Sequence, residues 1–457
     1  MNMRGTVLRR LAINCLILAM VAAMALPAAA RTRPHYGGSL RVEVEDDPWQ
    51  RPGGLARSLV LEGLTATGVD GRVRPALAVE WKSDNGDHRW QFRLRAGVHF
   101  HDGTALNAAN VVTALTEICG AGCPWTSVRA VGAAVVFLSE TPQPNLPDVL
   151  ASDDYRIALR AENAAQANRV GTGPFAFVNA SNGVQSLRAN DNCWQGRPFV
   201  DAVEIRGRRP IRDQWLDLSL GRADLVEVPA ELLRQANEQR LNLLVSQPDA
   251  LLALTANDTG ALADASLRAA IAMAVDRSAL FNVIFQKQGE ITASLLPAEM
   301  TGYSFLFPTD RDLNKAVELR GGASVTALSL AAEGGGAVQL AAQRLALNLR
   351  DAGFVVHEAQ SGASKRADLT LREIPLDDSE PRAALASVLR GAGMELPVEE
   401  TTLEGLYKVE HQILETHAVI PLLYLPRAYA LSGRVRNLRL GFDGTPLLAD
   451  ASLEDSR

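Results

Sequence analysis

Residues 325–359, VTALSLAAEGGGAVQLAAQRLALNLRDAGFVVHEA, constrain the fold more than any other stretch of the chain. An apolar run, a glycine turn at Gly334-Gly335-Gly336, a helix-period segment, Gly353 and a second apolar run read as strand, helix, strand. A βαβ unit of this kind belongs to α/β architectures. Its glycine turn also invites a test for dinucleotide binding, with Glu358 near the place of a ribose-binding acid. The test mostly fails, because Gln339 occupies the third glycine position and no Gly-Lys-Ser/Thr follows.

Strands and helices mix along the rest of the chain. In WQFRLRAGVHFHDGTALNAANVV, Trp90, Phe92 and Leu94 alternate with Gln91, Arg93 and Arg95, the period of a strand with one buried face. Gly97 interrupts it, Asp102-Gly103 makes a turn, and Asn107 reads as the N-cap of a helix from Ala108 to Leu115. His99 and His101 would share a strand face, and with Asp102 they would offer two nitrogens and an oxygen to zinc or nickel. The alternative is structural: Phe100 in the core, His99 solvated, and the polar atoms of His101 and Asp102 fastening the turn to neighbouring backbone. Further on, Asn182-Gly183 joins two strands, and DASLRAAIAMAVDRSALFNVIF places Leu267, Ala270, Ile271, Ala274, Val275 and Leu280 at helical spacing.

At 457 residues, 47% of them hydrophobic, the chain can bury the cores of two or three domains. Arg4, Arg9 and Arg10, the apolar run Leu11 to Leu26 and Pro27-Ala28-Ala29-Ala30 read as a signal peptide over residues 1–30, cleaved before Arg31; an uncleaved membrane anchor is the alternative. Cys15 is a poor lipidation site, with Asn14 before it. Loss of three arginines takes the formal charge from −6 to −9, which argues against nucleic acid or an anionic membrane as partner. Cys119 and Cys123 flank Gly120-Ala121-Gly122, a spacing that permits a small-loop disulfide after export; a metal clamp would need a second pair, and Cys193 is left over. No HExxH, GxSxG or SxxK occurs, and the paired acids Asp377-Asp378 and Glu399-Glu400 read on their own as solvated surface.

The order of these pieces resembles the extracellular solute-binding proteins of family 5, the receptors of peptide and nickel ABC importers. The similarity rests on Glu62-Gly63-Leu64, Pro75-Ala76-Leu77-Ala78, Trp81, Trp90 to Gly97 and Phe100-His101-Asp102-Gly103, then GTGPF at Gly171 to Phe175, RANDNCWQGRP, LRAAIAMAVDR and AVIPLLYLPRAYALSGRVRNL. It covers nearly all of the chain after residue 30. The family pattern includes His101, Asp102 and Gly103 but not His99, so it implies a structural turn there and no metal.

Membership would imply an α/β fold of the two-lobed periplasmic-binding-protein type, class II-like, with an inserted subdomain and mixed sheets flanked by helices. The expected division is a first lobe of 31–62, 172–254 and 432–457, an inserted subdomain of 63–171 and a second lobe of 255–431. The implied function is non-enzymatic: a monomeric, exported receptor that closes on a peptide or peptide-like solute and delivers it to a membrane permease, without a cofactor. Peptide-binding relatives carry an aromatic-flanked aspartate segment in the second lobe, where this chain reads LREIPLDDSEPRAALASVLRGAG. Asp377 and Asp378 would take the carboxylate role, although the flanking aromatics are missing. Trp125 and Trp49 are the candidate cleft aromatics, with core packing as the competing reading. A member that has lost uptake and serves as a scaffold or sensor, and an exported hydrolase, are the alternatives.

Overall fold

Two long strands carry the architecture. In the computed structural model, Asn242–Ala256 and Val419–Leu431 run antiparallel at the centre of an eleven-stranded sheet. The structure describes residues 35–50, 53–119, 123–160, 169–305, 307–321, 327–359, 367–376, 379–396 and 402–454, and Tyr36 onwards forms one compact unit. To one side of the central pair lie Leu225–Glu227, Ser39–Glu43, Ala202–Arg206, Val184–Ala189 and Phe175–Ser181, in that order; to the other lie Leu369–Pro375, Ala327–Glu333 and Val355–Glu358. Each side, with its covering helices, is a lobe.

The βαβ reading describes the second lobe well. Ala327–Glu333 and Val355–Glu358 are parallel, and the helix Gly336–Asp351 between them buries Ala341, Leu345 and Leu349 against the sheet. In the first lobe, Asn182 and Gly183 both take positive φ, 52° and 77°, as a two-residue hairpin between twisted strands requires. The helix-period segment from Asp264 is divided, however. Its helix is Ala265–Ala274; Val275 is extended, and Asp276 caps a new turn by accepting from the Ala279 amide. That local side-chain bond competes with helix continuation. The break also lets the buried Arg277 donate from Nε to the Pro421 carbonyl at 2.9 Å.

The inserted subdomain is a four-stranded sheet, Ala78–Asp84, Arg89–Leu94, Ala134–Leu138 and Ser127–Val131, with the helix Ala108–Cys119 against it. Trp90, Phe92 and Leu94 are buried, as their alternation demands. Asn107 and Asn110 exchange side-chain to backbone bonds at 2.9 and 3.0 Å, a reciprocal cap. The join to the first lobe is polar. The buried Glu62 carboxyl accepts from Thr172 Oγ1 at 2.7 Å, Trp194 Nε1 at 2.9 Å and Gln195 Nε2 at 2.9 Å, so three separate family motifs meet in one knot. Burial pushes its pKa up while these donors oppose the rise.

Two further buried acids brace the lobes. Asp224, 1% exposed at its side chain, takes Arg41 and Arg434 together and the Ser432 hydroxyl, tying Ser39–Glu43 to the chain after Val419–Leu431. In the second lobe Glu410, on the helix Leu403–Glu415, is completely buried.

Candidate ligand-binding cleft

The sheet changes lobes where Pro248 stands opposite Pro426. Neither proline can donate to the ladder, so pairing is interrupted there, with register shifts between Val245 and Pro248 and between Pro248 and Ala250. The Ser246 hydroxyl replaces one lost bond by accepting from the Arg427 amide at 2.9 Å. Before the break, Asn242–Val245 pairs with Ala428–Leu431; after it, Ala250–Ala256 pairs also with Leu369–Pro375 of the second lobe. The strand therefore exchanges first-lobe pairing for second-lobe pairing around Pro248.

Charged groups gather at this crossing. Asp249, 2% exposed, pairs with Arg427 Nε at 3.1 Å. Gly444, at φ +70°, approaches so closely that a Cβ there would lie 2.2 Å from Asp249 Oδ2. Two residues beyond Arg427 on the same strand, the buried Tyr429 stands in register with Glu227. Glu227 accepts from the Glu45 amide at 2.6 Å and from Gln214 Nε2 at 3.2 Å. Burial pushes the Glu227 pKa up, Asp46 adds to the rise and Arg427 opposes it. From the second lobe, Glu373 is exposed yet surrounded by protein. Burial raises its pKa first, Arg427 opposes, and Glu231 and Asp46 of the first lobe raise it further. Glu45 is raised by burial, then by Asp46 and Glu231. Carboxylates of both lobes thus feel one another across a shared, solvent-accessible space. Asp249, Glu227 and Glu373 share Arg427, while Glu45, Asp46 and Glu231 add negative charge beside them, an imbalance that favours a cation over an anion.

The lobes also touch directly. Asn145 Nδ2 of the subdomain donates to Glu380 Oε1 of the second lobe at 2.7 Å. Gln286 Nε2 of the second lobe donates to the Glu231 carbonyl of the first at 2.8 Å. The glycine turn tested for nucleotide binding is faced by protein: a Cβ on Gly336 would lie 3.3 Å from Glu231 Oε1.

Of the residues singled out from sequence, Asp377 and Asp378 lie outside the described residues. The chain on either side of them is tied to the cleft, through the Leu376 amide on the Asp249 carbonyl at 2.7 Å and through Glu380 on Asn145. Trp125 is 7% exposed, edge-on to Phe137 at 4.9 Å and tilted on Tyr155 at 5.3 Å. Its ring is subdomain core, with no face left for a solute. Trp49 is half-buried: Nε1 donates to Gln185 Oε1 at 3.1 Å, Phe177 meets it edge-on, and the Arg169 guanidinium lies 5.0 Å over its ring. Cys123 is disulfide-bonded and Cys193 is buried and free, while the Cys119 side chain lies outside the described residues.

The histidine pair divides as the structural alternative has it. His101 Nε2 donates to the Gly173 carbonyl at 2.9 Å and its Nδ1 accepts from the Gly171 amide at 3.3 Å, so both ring nitrogens hold the GTGPF segment. His99 is exposed, and Asp102 accepts from the Thr104 amide at 2.9 Å. Among the described residues no cluster of three metal-ligating side chains occurs. The cleft acids were missed from sequence. Their one signal is Arg427, a lone cation inside the apolar strand VIPLLYLPRAYAL, which must find carboxylates when that strand is buried.

The family model described as bacterial extracellular solute-binding proteins, family 5 Middle, matches residues 72–360. A probable di/tripeptide-binding protein of Pseudomonas aeruginosa is 24% identical over 332 residues, 62% of this chain and 63% of its own length. The dipeptide-binding protein of Escherichia coli is 23% identical over 273 residues, 51% of each. The chain thus spans less than two thirds of the length of these curated relatives. Among solved structures, NikA from Staphylococcus aureus in complex with Ni(L-His)2 superposes with a TM-score of 0.79 at 17% identity, over 91% of this chain and all of that one. This likeness establishes the two-lobed fold. Among the described residues, no helix is long and apolar enough to cross a membrane.

Proposed function

The chain belongs to the bacterial extracellular solute-binding proteins, family 5, and we propose that it captures an amine-bearing, peptide-like solute between its lobes and presents it to the permease of an ABC importer. The observation carrying this reading is the surplus of carboxylates that both lobes direct at the crossing strands around Arg427. A solute cation placed there meets acids of both lobes at once, so it binds the closed arrangement better than the open one and shifts the hinge equilibrium. The peptide names of the relatives support the class. On this reading the protein is exported through its first thirty residues, acts as a monomer and leaves the solute chemically unchanged. Asp377 or Asp378 supplies a further carboxylate for the amine.

Titration calorimetry with short peptides, free or acetylated at the amino terminus, tests the proposal, the starting ligand being chosen by native mass spectrometry of unrefolded protein. Acetylation should weaken binding more than about tenfold, roughly 1.4 kcal/mol, and Asp377→Asn or Asp378→Asn should do the same, because a buried ammonium left unpaired costs about 2–5 kcal/mol. Equal affinity for free and acetylated peptides would overturn the amine assignment.

A further inference from the structure

The contact between Asn145 and Glu380 joins two residues that each stand at the start of a helix seated in its own lobe or subdomain. Asn145 precedes the helix Leu146–Val149, and its carbonyl accepts from the Asp148 and Val149 amides. That helix is seated in the subdomain by the fully buried Leu146 and by the Thr65 hydroxyl on the Pro147 carbonyl at 2.6 Å. The Asn145 side chain makes no cap bond of its own, so it is free to serve a partner elsewhere. Glu380 caps the helix Pro381–Gly391, accepting from the Arg382 amide at 3.1 Å and the Ala383 amide at 2.7 Å. Leu385 and Leu389 of that helix are fully buried in the second lobe. The Asn145 backbone and the Glu380 side chain are already held when the two meet, and the acceptor is a carboxylate, which strengthens the bond.

A third group opposes them. Asp148 lies one turn from Asn145, and its carboxyl is pushed up by burial first and then by the Glu380 charge. The charged acceptor that attracts the Asn145 amide therefore repels the Asp148 carboxylate on the same short helix.

We propose that Asn145 and Glu380 form a latch that draws the lobes together before any solute arrives, with Asp148 as the counterweight that keeps the latch weak enough to open. It rests on the reading that the lobes open and close, and adds a residue-level account of what sets that equilibrium. The Gln286 bond to the Glu231 carbonyl is a second contact between the lobes, which the substitutions below leave unaltered.

The test uses the full chain freed of solute, verified by mass spectrometry, with dyes on cysteines introduced at the exposed positions Thr113 of the subdomain and Arg390 of the second lobe. Single-molecule energy transfer then reads closed against open populations. Asn145→Asp places a carboxylate against Glu380 and should lower the closed-to-open ratio at least about tenfold. Asp148→Asn should raise the ratio, and Asn145→Ala should fall between wild type and Asn145→Asp. Thermal melts establish that each variant is folded. An unchanged distribution in Asn145→Asp, or shifts of the same sign in Asn145→Asp and Asp148→Asn, would overturn the latch. Because no solute is present, that failure would leave the capture of an amine-bearing solute standing, just as failed peptide binding would leave the latch standing.

Discussion

Replacing Glu410 with glutamine tests how strongly the second lobe prefers this acid in its neutral form. The side chain is fully enclosed, accepting from the Leu295 amide at 2.7 Å, the Leu296 amide at 3.4 Å and the Tyr303 hydroxyl at 3.0 Å. Burial pushes its pKa from 4.5 up to about 7, with these donors pulling the other way. A folded-state value above the unfolded one means that the contribution to stability is fully present below pH 4.5 and is lost as pH rises through 7. At ~1.36 kcal/mol per unit, the shift corresponds to about 3 kcal/mol across that window. Glutamine copies the neutral form: its carbonyl can accept from Leu295 and its amide can donate to the Tyr303 oxygen. Glu410→Gln should therefore match wild type near pH 4.5 and exceed it by about 3 kcal/mol at pH 8. All six tryptophans lie at or before residue 215, so their fluorescence reports on the other parts of the molecule. Amide hydrogen exchange over Leu403–Glu415 and Val419–Leu431, corrected for intrinsic pH dependence, reads the right lobe. The same pH dependence in variant and wild type, or a variant weaker at pH 8, would refute the reasoning.

Asp224→Ala should destabilise the first lobe by about 3 kcal/mol in urea denaturation, because two arginines lose a buried partner. Burial alone would raise the Asp224 pKa, but hydrogen bonds from Arg434 and Arg41 outweigh it and hold the carboxyl well below its usual range. Its contribution is thus present above pH 3.8 and lost as pH falls further; a cost below about 1 kcal/mol would mean that water replaces it. Trp125→Ala should cost about 3–5 kcal/mol by opening a cavity in the subdomain core. It should leave solute affinity of the folded protein within twofold by calorimetry, and a tenfold loss would return this ring to the cleft.

The sequence makes legible whatever depends on period and local chemistry. Trp90, Phe92 and Leu94 announce their buried face by alternation, Asn182-Gly183 its turn, and the glycines around the helix Gly336–Asp351 its two ends. Family motifs that look unrelated in sequence, Glu62, Thr172 and Trp194, become one knot only in space. The cleft was much less legible, for a physical reason. Its acids come from four separate strands or strand ends and one helical turn, and each alone looks like a surface carboxylate. What distinguishes Glu373 from a surface acid is the protein arranged around it, a property that long-range pairing creates. Trp125 illustrates the converse: an aromatic after a helix has the same local signature whether its neighbours are Phe137 and Tyr155, as here, or a solute.

The two proposed devices act on the hinge with opposite sign. Bringing the lobes together moves Glu373 towards Asp46 and Glu231, and like charges in a partly desolvated cleft resist that approach. The bond from Asn145 to Glu380 favours the same approach. With the two opposed, neither alone sets the solute-free equilibrium, and the nearer it lies to balance the less differential affinity a ligand needs to move it. A shift from 1:99 to 99:1 demands about 5.5 kcal/mol of preference for the closed form, whereas one from even populations to 99:1 demands about half of that. A solute amine supplies its preference by neutralising the acids that resist closure. Adding salt to the solute-free protein screens that repulsion while touching the short latch bond little, so it should move the population towards closed, and a move towards open would show that attraction, centred on Arg427, dominates the cleft instead.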